Sequence, residues 1–244
     1  MRSFNTYVRH LAHFASVQSR CLTLLVSIAL AGSVHADNFK RYRKALGFKA
    51  VESKTGGGDR LMILYDSDRL ALVDYRELFR HGKDVLNNGN YRSPLVCRFL
   101  DQPTGREFLF VTVHLARGKP EIRQEQARGL RNWARDQAMP IIAAGDFNFD
   151  ANFKRKTINQ AFVEFRKDRI WRWVTPRPFV DTNWADRNGD GVDDYPDSML
   201  DFFFVAGSAK EWAAECTVIV DPGDFPDGEK TSDHRPVTAA FGVE

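Results

Sequence analysis

Cysteine is scarce in this chain: there are three in 244 residues, and only Cys97 and Cys216 lie beyond residue 36. That count excludes a small disulfide scaffold, and neither cysteine has the paired spacing of a metal cluster. Both sit in strand-like apolar runs. In an oxidising compartment they could pair, but two small core residues fit the pattern better. Long hydrophobic runs are missing too. The stretch from Cys21 to Gly32 is too short to span a bilayer, so no transmembrane segment is expected. An excess of one charge sign is also missing. The chain has 35 Lys and Arg against 32 Asp and Glu, and Arg2, Arg9 and Arg20 precede residue 37 with no acid among them. Beyond residue 36 the signs balance, so there is no overall basic field to draw in nucleic acid. The local runs Lys40–Lys44 and Lys154–Lys156 read as solvated helix faces.

What residues 1–36 do have is a pattern. A basic start is followed by the apolar stretch and then by Ser33-Val34-His35-Ala36. That is the layout of a secretory signal, with cleavage expected after Ala36 and a mature domain over 37–244, secreted or periplasmic. The alternative is a buried strand from Leu22 to Leu30 within the fold.

The rest of the chain is long enough for one sizeable core. Residues 38–46 read as a short helix stopped by Gly47, and 55–59 as a glycine-rich loop. Strands are expected over 61–65, 70–74, 95–100, 107–114, 139–144, 199–205, 216–220 and 237–241. Gln102-Pro103-Thr104-Gly105 is a hairpin signal. Helices are expected over 120–137, with Pro120 near the start, and over 157–167. Residues 169–198, rich in Trp, Pro and Asp, read as a long ordered loop. Trp171, Trp173 and Trp184 pack that loop more naturally than they stack bases. His81 reads as a solvated loop residue. Mostly strands with few helices suggests stacked sheets with helices outside.

Chemistry gathers at strand ends. The buried run Met139–Ala144 stops on Gly145-Asp146-Phe147-Asn148. His114 ends an earlier run, Asp201 opens a later one, and Ser232-Asp233-His234-Arg235-Pro236 precedes the last. Two histidines, three aspartates and an asparagine so placed suit phosphodiester hydrolysis, which needs prepared water, charge neutralisation and donors for the developing charge. His234 titrates near neutral pH, and Asp201 is the candidate carboxylate to fix its tautomer. Asp146 and Asn148 share a face in an extended segment.

In that order, Val-His-Leu at 113–115, Gly-Asp-Phe-Asn at 145–148, Leu-Asp-Phe at 200–202 and Ser-Asp-His at 232–234 resemble the endonuclease/exonuclease/phosphatase superfamily, the deoxyribonuclease-I-like proteins. The resemblance runs from about Asp37 to the C-terminus. It implies a four-layer α/β sandwich of two packed, mainly antiparallel sheets flanked by helices, and Mg²⁺- or Mn²⁺-dependent phosphoester hydrolysis. It implies a His234–Asp201 pair, His114 on the scissile phosphate, and Asp146 and Asn148 at the water and transition state. Asp233, with Asp146, would serve the metal. Arg92 in Tyr-Arg-Ser-Pro resembles a substrate-contacting arginine. The family's opening strand ending in Asn and its second ending in Gln-Glu have no counterpart here. The metal-binding glutamate is therefore missing, and weaker metal affinity and a partly open sheet edge are expected. Family-like sequence starts abruptly near Asp37, so a truncated or rearranged member is expected, with residues 1–36 replacing the missing strands.

Asp186, Asn188, Asp190, Gly191, Asp194 and Asp197 fit a calcium-loop template without the exit helix, so structural Ca²⁺ is a second expectation beside an acidic surface turn. The sequence thus points to a metal-dependent phosphodiesterase or nuclease, with DNA or RNA among its substrates and a phosphomonoester or phospholipid head group as the alternative. The rival is a catalytically silent relative acting as a binding protein or a Ca²⁺-stabilised extracellular module. Nothing calls for a stable protein partner, and a monomer is expected.

Overall fold

The structure, a computed structural model, describes residues 47–87, 92–152, 154–184, 186, 188–195, 197–220 and 233–242, with the short stretches 23–24, 28–29, 34–35 and 43–44. The main strands are β1 (Lys49–Glu52), β2 (Met62–Tyr65), β3 (Leu70–Glu77), β4 (Leu95–Asp101), β5 (Arg106–His114), β6 (Ile141–Ala151), β7 (Arg172–Trp173), β8 (Met199–Ala206), β9 (Ala213–Val218) and β10 (Val237–Gly242). Two α-helices lie wholly among the described residues, α1 (Pro120–Arg135) and α2 (Gln160–Arg166).

A six-stranded mixed sheet runs β7-β8-β6-β5-β4-β3. Its one parallel pair is β5 with β6, joined across α1. The central strands are buried on both faces, which is why they read as unbroken apolar runs. Alternation then sorts their side chains. Ile141, Ala143, Phe202 and Phe204 enter the core beneath the helices. Ile142, Ala144, Phe203 and Val205 enter a second core, shared with Val51, Leu61 and Ile63 on one side and Cys216 and Phe241 on the other. Two packed sheets with helices on the outer face result, as the sequence leads one to expect. Cys97 and Cys216 are free, buried members of that second core.

The second layer is in pieces. β1 and β2 form one three-stranded sheet with Ile28–Ala29, and β9 and β10 another with Thr23–Leu24. Val34–His35 pairs with Asp59–Arg60. Stretches inside the expected leader are thus paired to the fold through backbone, Thr23–Leu24 at the edge of one piece and Ile28–Ala29 at the edge of the other. The remainder of residues 1–36 lies outside the described residues, as does most of the expected helix over 38–46. Gly47, its expected stop, has φ +68°, and its N–H donates to the Arg43 carbonyl at 3.0 Å. That is the left-handed cap glycine favours.

α1 starts at Pro120, whose missing N–H costs nothing in the first turn. Its buried face carries Arg123, Gln126, Ala127, Leu130, Trp133 and Ala134. α2 is capped by the Asn159 side chain, which accepts from Phe162 N. Trp171 is buried and stacks on Phe165, so it packs the long loop as expected. His81 differs from its solvated reading. Its Nε2 lies 2.7 Å from Asp136 Oδ2 and ties a short hairpin to the end of α1.

Candidate active site

The β5–β6 and β6–β8 registers place His114 opposite Asp146 and Asp146 opposite Asp201. Three chemistry-bearing residues thus line up across adjacent strands at one end of the sheet. β6 could not come this close to β5 with a larger residue at 145. Gly145 has φ +138°, and a Cβ there would meet Val113 O at 2.2 Å. The β6–β8 register then slips between Asp146 and Ala151. Asn148 and Asp150 have φ of 50° and 49° in that slip. Asparagine and aspartate tolerate this left-handed backbone better than other side chains. The irregularity is held by the fully buried Phe147 and Phe149, which pack on Phe202, Phe204 and Phe165. Bulges of this kind re-aim side chains beside functional sites.

His234 Nδ1 lies 2.7 Å from Asp201 Oδ2. Asp201 is itself fixed by Thr182, whose hydroxyl donates to Oδ2 at 2.7 Å. The same hydroxyl oxygen accepts Leu200 N and Asp201 N. Burial pulls the His234 imidazolium down. The charge and hydrogen bond of Asp201, with Asp146 and Asp233 beyond, more than offset this and raise it to about 10. His114 is the opposite case. Burial, then the positive charges of Arg92, His234 and Arg117, lower it to about 3, so it is neutral. Its Nε2 stands 3.4 Å from Asp146 Oδ2. Burial and the nearby Asp201 push the Asp146 carboxyl up to about 7, against the pull of His234, the Asn148 N–H and Arg117. One fold thus keeps one histidine charged and the other neutral, the separation of roles that acid–base sites use.

Asn148 donates from N to Asp146 Oδ1 at 2.9 Å and from Nδ2 to the Leu115 carbonyl at 2.9 Å. Its Oδ1 is buried and accepts no hydrogen bond. Arg92 Nε donates to the Asp59 carbonyl at 2.6 Å, and its guanidinium pairs with the Asp59 carboxylate. Its charge acts on Asp146 and His114. Asp233 is exposed, and its carbonyl accepts Trp184 N and Asn183 Nδ2.

The structure therefore brings His114, Asp146, Asn148, Asp201 and His234 together, with Arg92 and Asp233 at the margin. Thr182, Asn183 and Arg117 are additions the sequence did not reveal. They lie in loops, where no hydrophobic period marks which residues face the site. The calcium loop is not gathered. Asp186 accepts the N–H groups of Gly189, Asp190 and Gly191, and Asp197 pairs with Lys154 at 2.8 Å. Among the described residues no group of three or more His, Cys, Asp or Glu could hold a metal ion. Among the described residues the loop's oxygens accept N–H groups of its own turns and pair with a lysine. At the active site the Asp146 carboxylate and the orphaned Asn148 Oδ1 are hard oxygen donors. They fit a divalent cation only as a minority of its ligands, completed by water and substrate oxygens.

No family model matches the chain, and no curated protein matches it. Solved structures do. One is an endonuclease/exonuclease/phosphatase from Bacteroides vulgatus, with a TM-score of 0.69, 15% identity, and 98% of this chain and 90% of that one covered. The chain has the deoxyribonuclease-I-like fold of the endonuclease/exonuclease/phosphatase proteins. A mannosyl-6-phosphatase from Bacteroides thetaiotaomicron follows the same path at a TM-score of 0.64 and 19% identity, covering 86% of this chain and 83% of that one. ANGEL2, described as a 2',3'-cyclic phosphatase, matches at a TM-score of 0.62 and 13% identity, with 98% and 85% covered. These likenesses bear out the fold that the four ordered motifs imply.

Proposed function

We propose that the chain is a phosphoester hydrolase, and that its preferred substrate is a phosphodiester. The observation that carries this is the row His114–Asp146–Asp201 with His234 held on Asp201 at 2.7 Å. The similar folds include proteins described as phosphatases, which supports the reaction class.

Each residue has work suited to its protonation. The His234 imidazolium donates from Nδ1 to Asp201, and its Nε2–H is directed to a phosphoryl oxygen whose negative charge grows in the transition state. Asp201, fixed by Thr182, holds the ring and its charge. The Asp146 carboxylate accepts a proton from the attacking water as the new phosphorus–oxygen bond forms, while the bond from phosphorus to the ester oxygen breaks and the departing alcohol takes its proton from solvent. Neutral His114, 3.4 Å from Asp146, adds no positive charge to hold that carboxylate ionised. Arg92 meets substrate phosphate by exchanging its Asp59 carboxylate partner for it. A Mg²⁺ or Mn²⁺ bound with Asp146 and Asn148 would supply charge neutralisation at the phosphoryl oxygens.

The test uses the full chain with bis(4-nitrophenyl) phosphate, 4-nitrophenyl phosphate and plasmid DNA, each with Mg²⁺, Mn²⁺ or EDTA. Divalent-ion-dependent turnover, faster on the diester, is expected. A folded protein that turns over none of them contradicts the proposal. A second reading, a catalytically silent relative that binds phosphate esters, follows from the sequence's lack of an opening strand that ends in Gln-Glu. It predicts phosphate binding without turnover.

The leader pattern supports export to the periplasm or beyond. The mass of the protein recovered from its own cell tests this, because cleavage after Ala36 leaves a chain starting at Asp37.

A further inference from the structure

β6 makes its register slip through two left-handed residues, Asn148 and Asp150, with φ of 50° and 49°. Backbone of that kind persists only where surrounding groups hold it. Here the holding group comes from another element. Asn159 caps α2, and its Oδ1 accepts Phe162 N at 3.3 Å. Capping uses one end of the amide. The other end reaches back to β6: Asn159 Nδ2 donates to the Asn148 carbonyl at 2.7 Å and to Asp150 Oδ2 at 2.8 Å. The Asn159 N–H donates to the carbonyl of Phe149, between those two residues, at 3.1 Å. Both amide hydrogens and the amide oxygen are thus engaged, which fixes the orientation of the group.

The anchor behind Asn159 is rigid. Phe162 and Phe165 of α2 pack on Phe149, each with ring centres 5.5 Å apart, so helix and strand meet through buried aromatic rings. Asp150 Oδ2 also lies 3.5 Å from Nη2 of the buried Arg123. Arg123 Nη1 donates to the Ala116 and Arg117 carbonyls at 2.8 and 2.6 Å. The neighbouring Leu115 carbonyl accepts Asn148 Nδ2. Asn148 is therefore held at two points, its carbonyl from α2 and its side-chain amide from the loop after His114. With Nδ2 committed to Leu115, Oδ1 is the end left over, and it is a buried oxygen that accepts no hydrogen bond.

We infer that Asn159 is a positioning residue of the active site: its amide clamps the left-handed turn of β6 and so sets where Asn148 presents Oδ1. The inference rests on the phosphoester reading above. Asn159 acts through Asn148, not on the substrate.

Asn159→Ser separates the clamp from the cap. Serine caps a helix about as well as asparagine, but it lacks the amide N–H groups that reach Asn148 and Asp150. Asn159→Ala loses cap and clamp together. Both full-length variants are assayed on bis(4-nitrophenyl) phosphate with Mg²⁺ or Mn²⁺ and unfolded by denaturant. Each is expected to lose about tenfold or more in kcat, with KM changed by less than about twofold. Asn159→Ala should unfold at lower denaturant than Asn159→Ser, yet match it in kcat. Asn159→Ser added to Asn148→Ala should cost no further kcat. In EDTA, the Asn148 side-chain NH₂, identified by NMR through its loss in Asn148→Ala, should exchange with solvent about tenfold faster in Asn159→Ser. Wild-type kcat or wild-type exchange in folded Asn159→Ser overturns the inference. So does kcat that follows the unfolding midpoint across the two variants, or full additivity with Asn148→Ala. If the folded wild type hydrolyses no phosphoester, the hydrolase reading fails. Unchanged exchange in Asn159→Ser then overturns the clamp as well, and faster exchange upholds it.

Discussion

The contact between His234 and Asp201 sets the charge of the site, so it is where a single atom's replacement is most informative. Asp201→Asn removes the carboxylate that raises His234 to about 10. In EDTA, the His234 ring resonance of the variant should titrate several pH units lower by NMR. Unchanged titration contradicts the pairing. The sign for stability follows from linkage. The folded-state value lies above the ordinary 6.5, so the stabilisation is fully present below 6.5 and lost as pH rises through about 10. Wild type should therefore exceed Asp201→Asn in unfolding midpoint most at about pH 6, and the gap should narrow toward pH 10. Thr182 is a second residue-scale handle. Thr182→Val strips the hydroxyl that serves Asp201 Oδ2 and two backbone N–H groups, at a cost of about 1–3 kcal/mol by chemical denaturation. Asp201 and His234 were legible in the sequence because each borders a strand. Thr182 was not, because its neighbours in the loop show no pattern from which a face could be read.

Elements explain why the Gly-Asp-Phe-Asn motif works. β6 carries two cores on alternate residues and then breaks register, and the break turns Asp146 and Asn148 toward the site. Gly145→Ala would place a methyl 2.2 Å from the Val113 carbonyl at a φ of +138°. A loss of about 3 kcal/mol or more is expected, with the β5–β6 pairing weakened. A denaturation midpoint close to wild type would contradict that geometry. Phe147→Ala should cost about 3–5 kcal/mol, because the ring is fully buried among Phe149, Phe165, Phe202 and Phe204. The central strands were readable because their apolar residues are continuous, and α1 because its own recur at helical spacing; β1 and β7, four and two residues long, were not. The register slip was not, because strand propensity has nothing to say about φ at Asn148. The spacing of the Asp-rich loop matches a calcium template, and its oxygens also satisfy the N–H groups of its own short turns.

For the whole molecule, the six-stranded sheet is the frame, and the second layer is the part least determined by the strands beyond residue 36. Thr23–Leu24 lies against β10 and Ile28–Ala29 against β2. Cleavage after Ala36 would remove both pairs and leave two exposed strand edges, which invite association. Fold class was legible because the four motifs fall in order at strand ends. The pairing of Thr23–Leu24, Ile28–Ala29 and Val34–His35 was not, because a short apolar run behind a basic start reads as a leader core before it reads as a strand. Substrate choice belongs to this scale too, since it depends on loops meeting around a shared site. The measurement that bears most directly on the central claim is hydrolysis of bis(4-nitrophenyl) phosphate by the full chain with Mg²⁺ or Mn²⁺, beside an EDTA control and folded His234→Ala. Divalent-ion-dependent turnover that falls about 10²–10³-fold in the variant is expected. Turnover unchanged by His234→Ala, or none from the folded wild type, would contradict the assignment of this site.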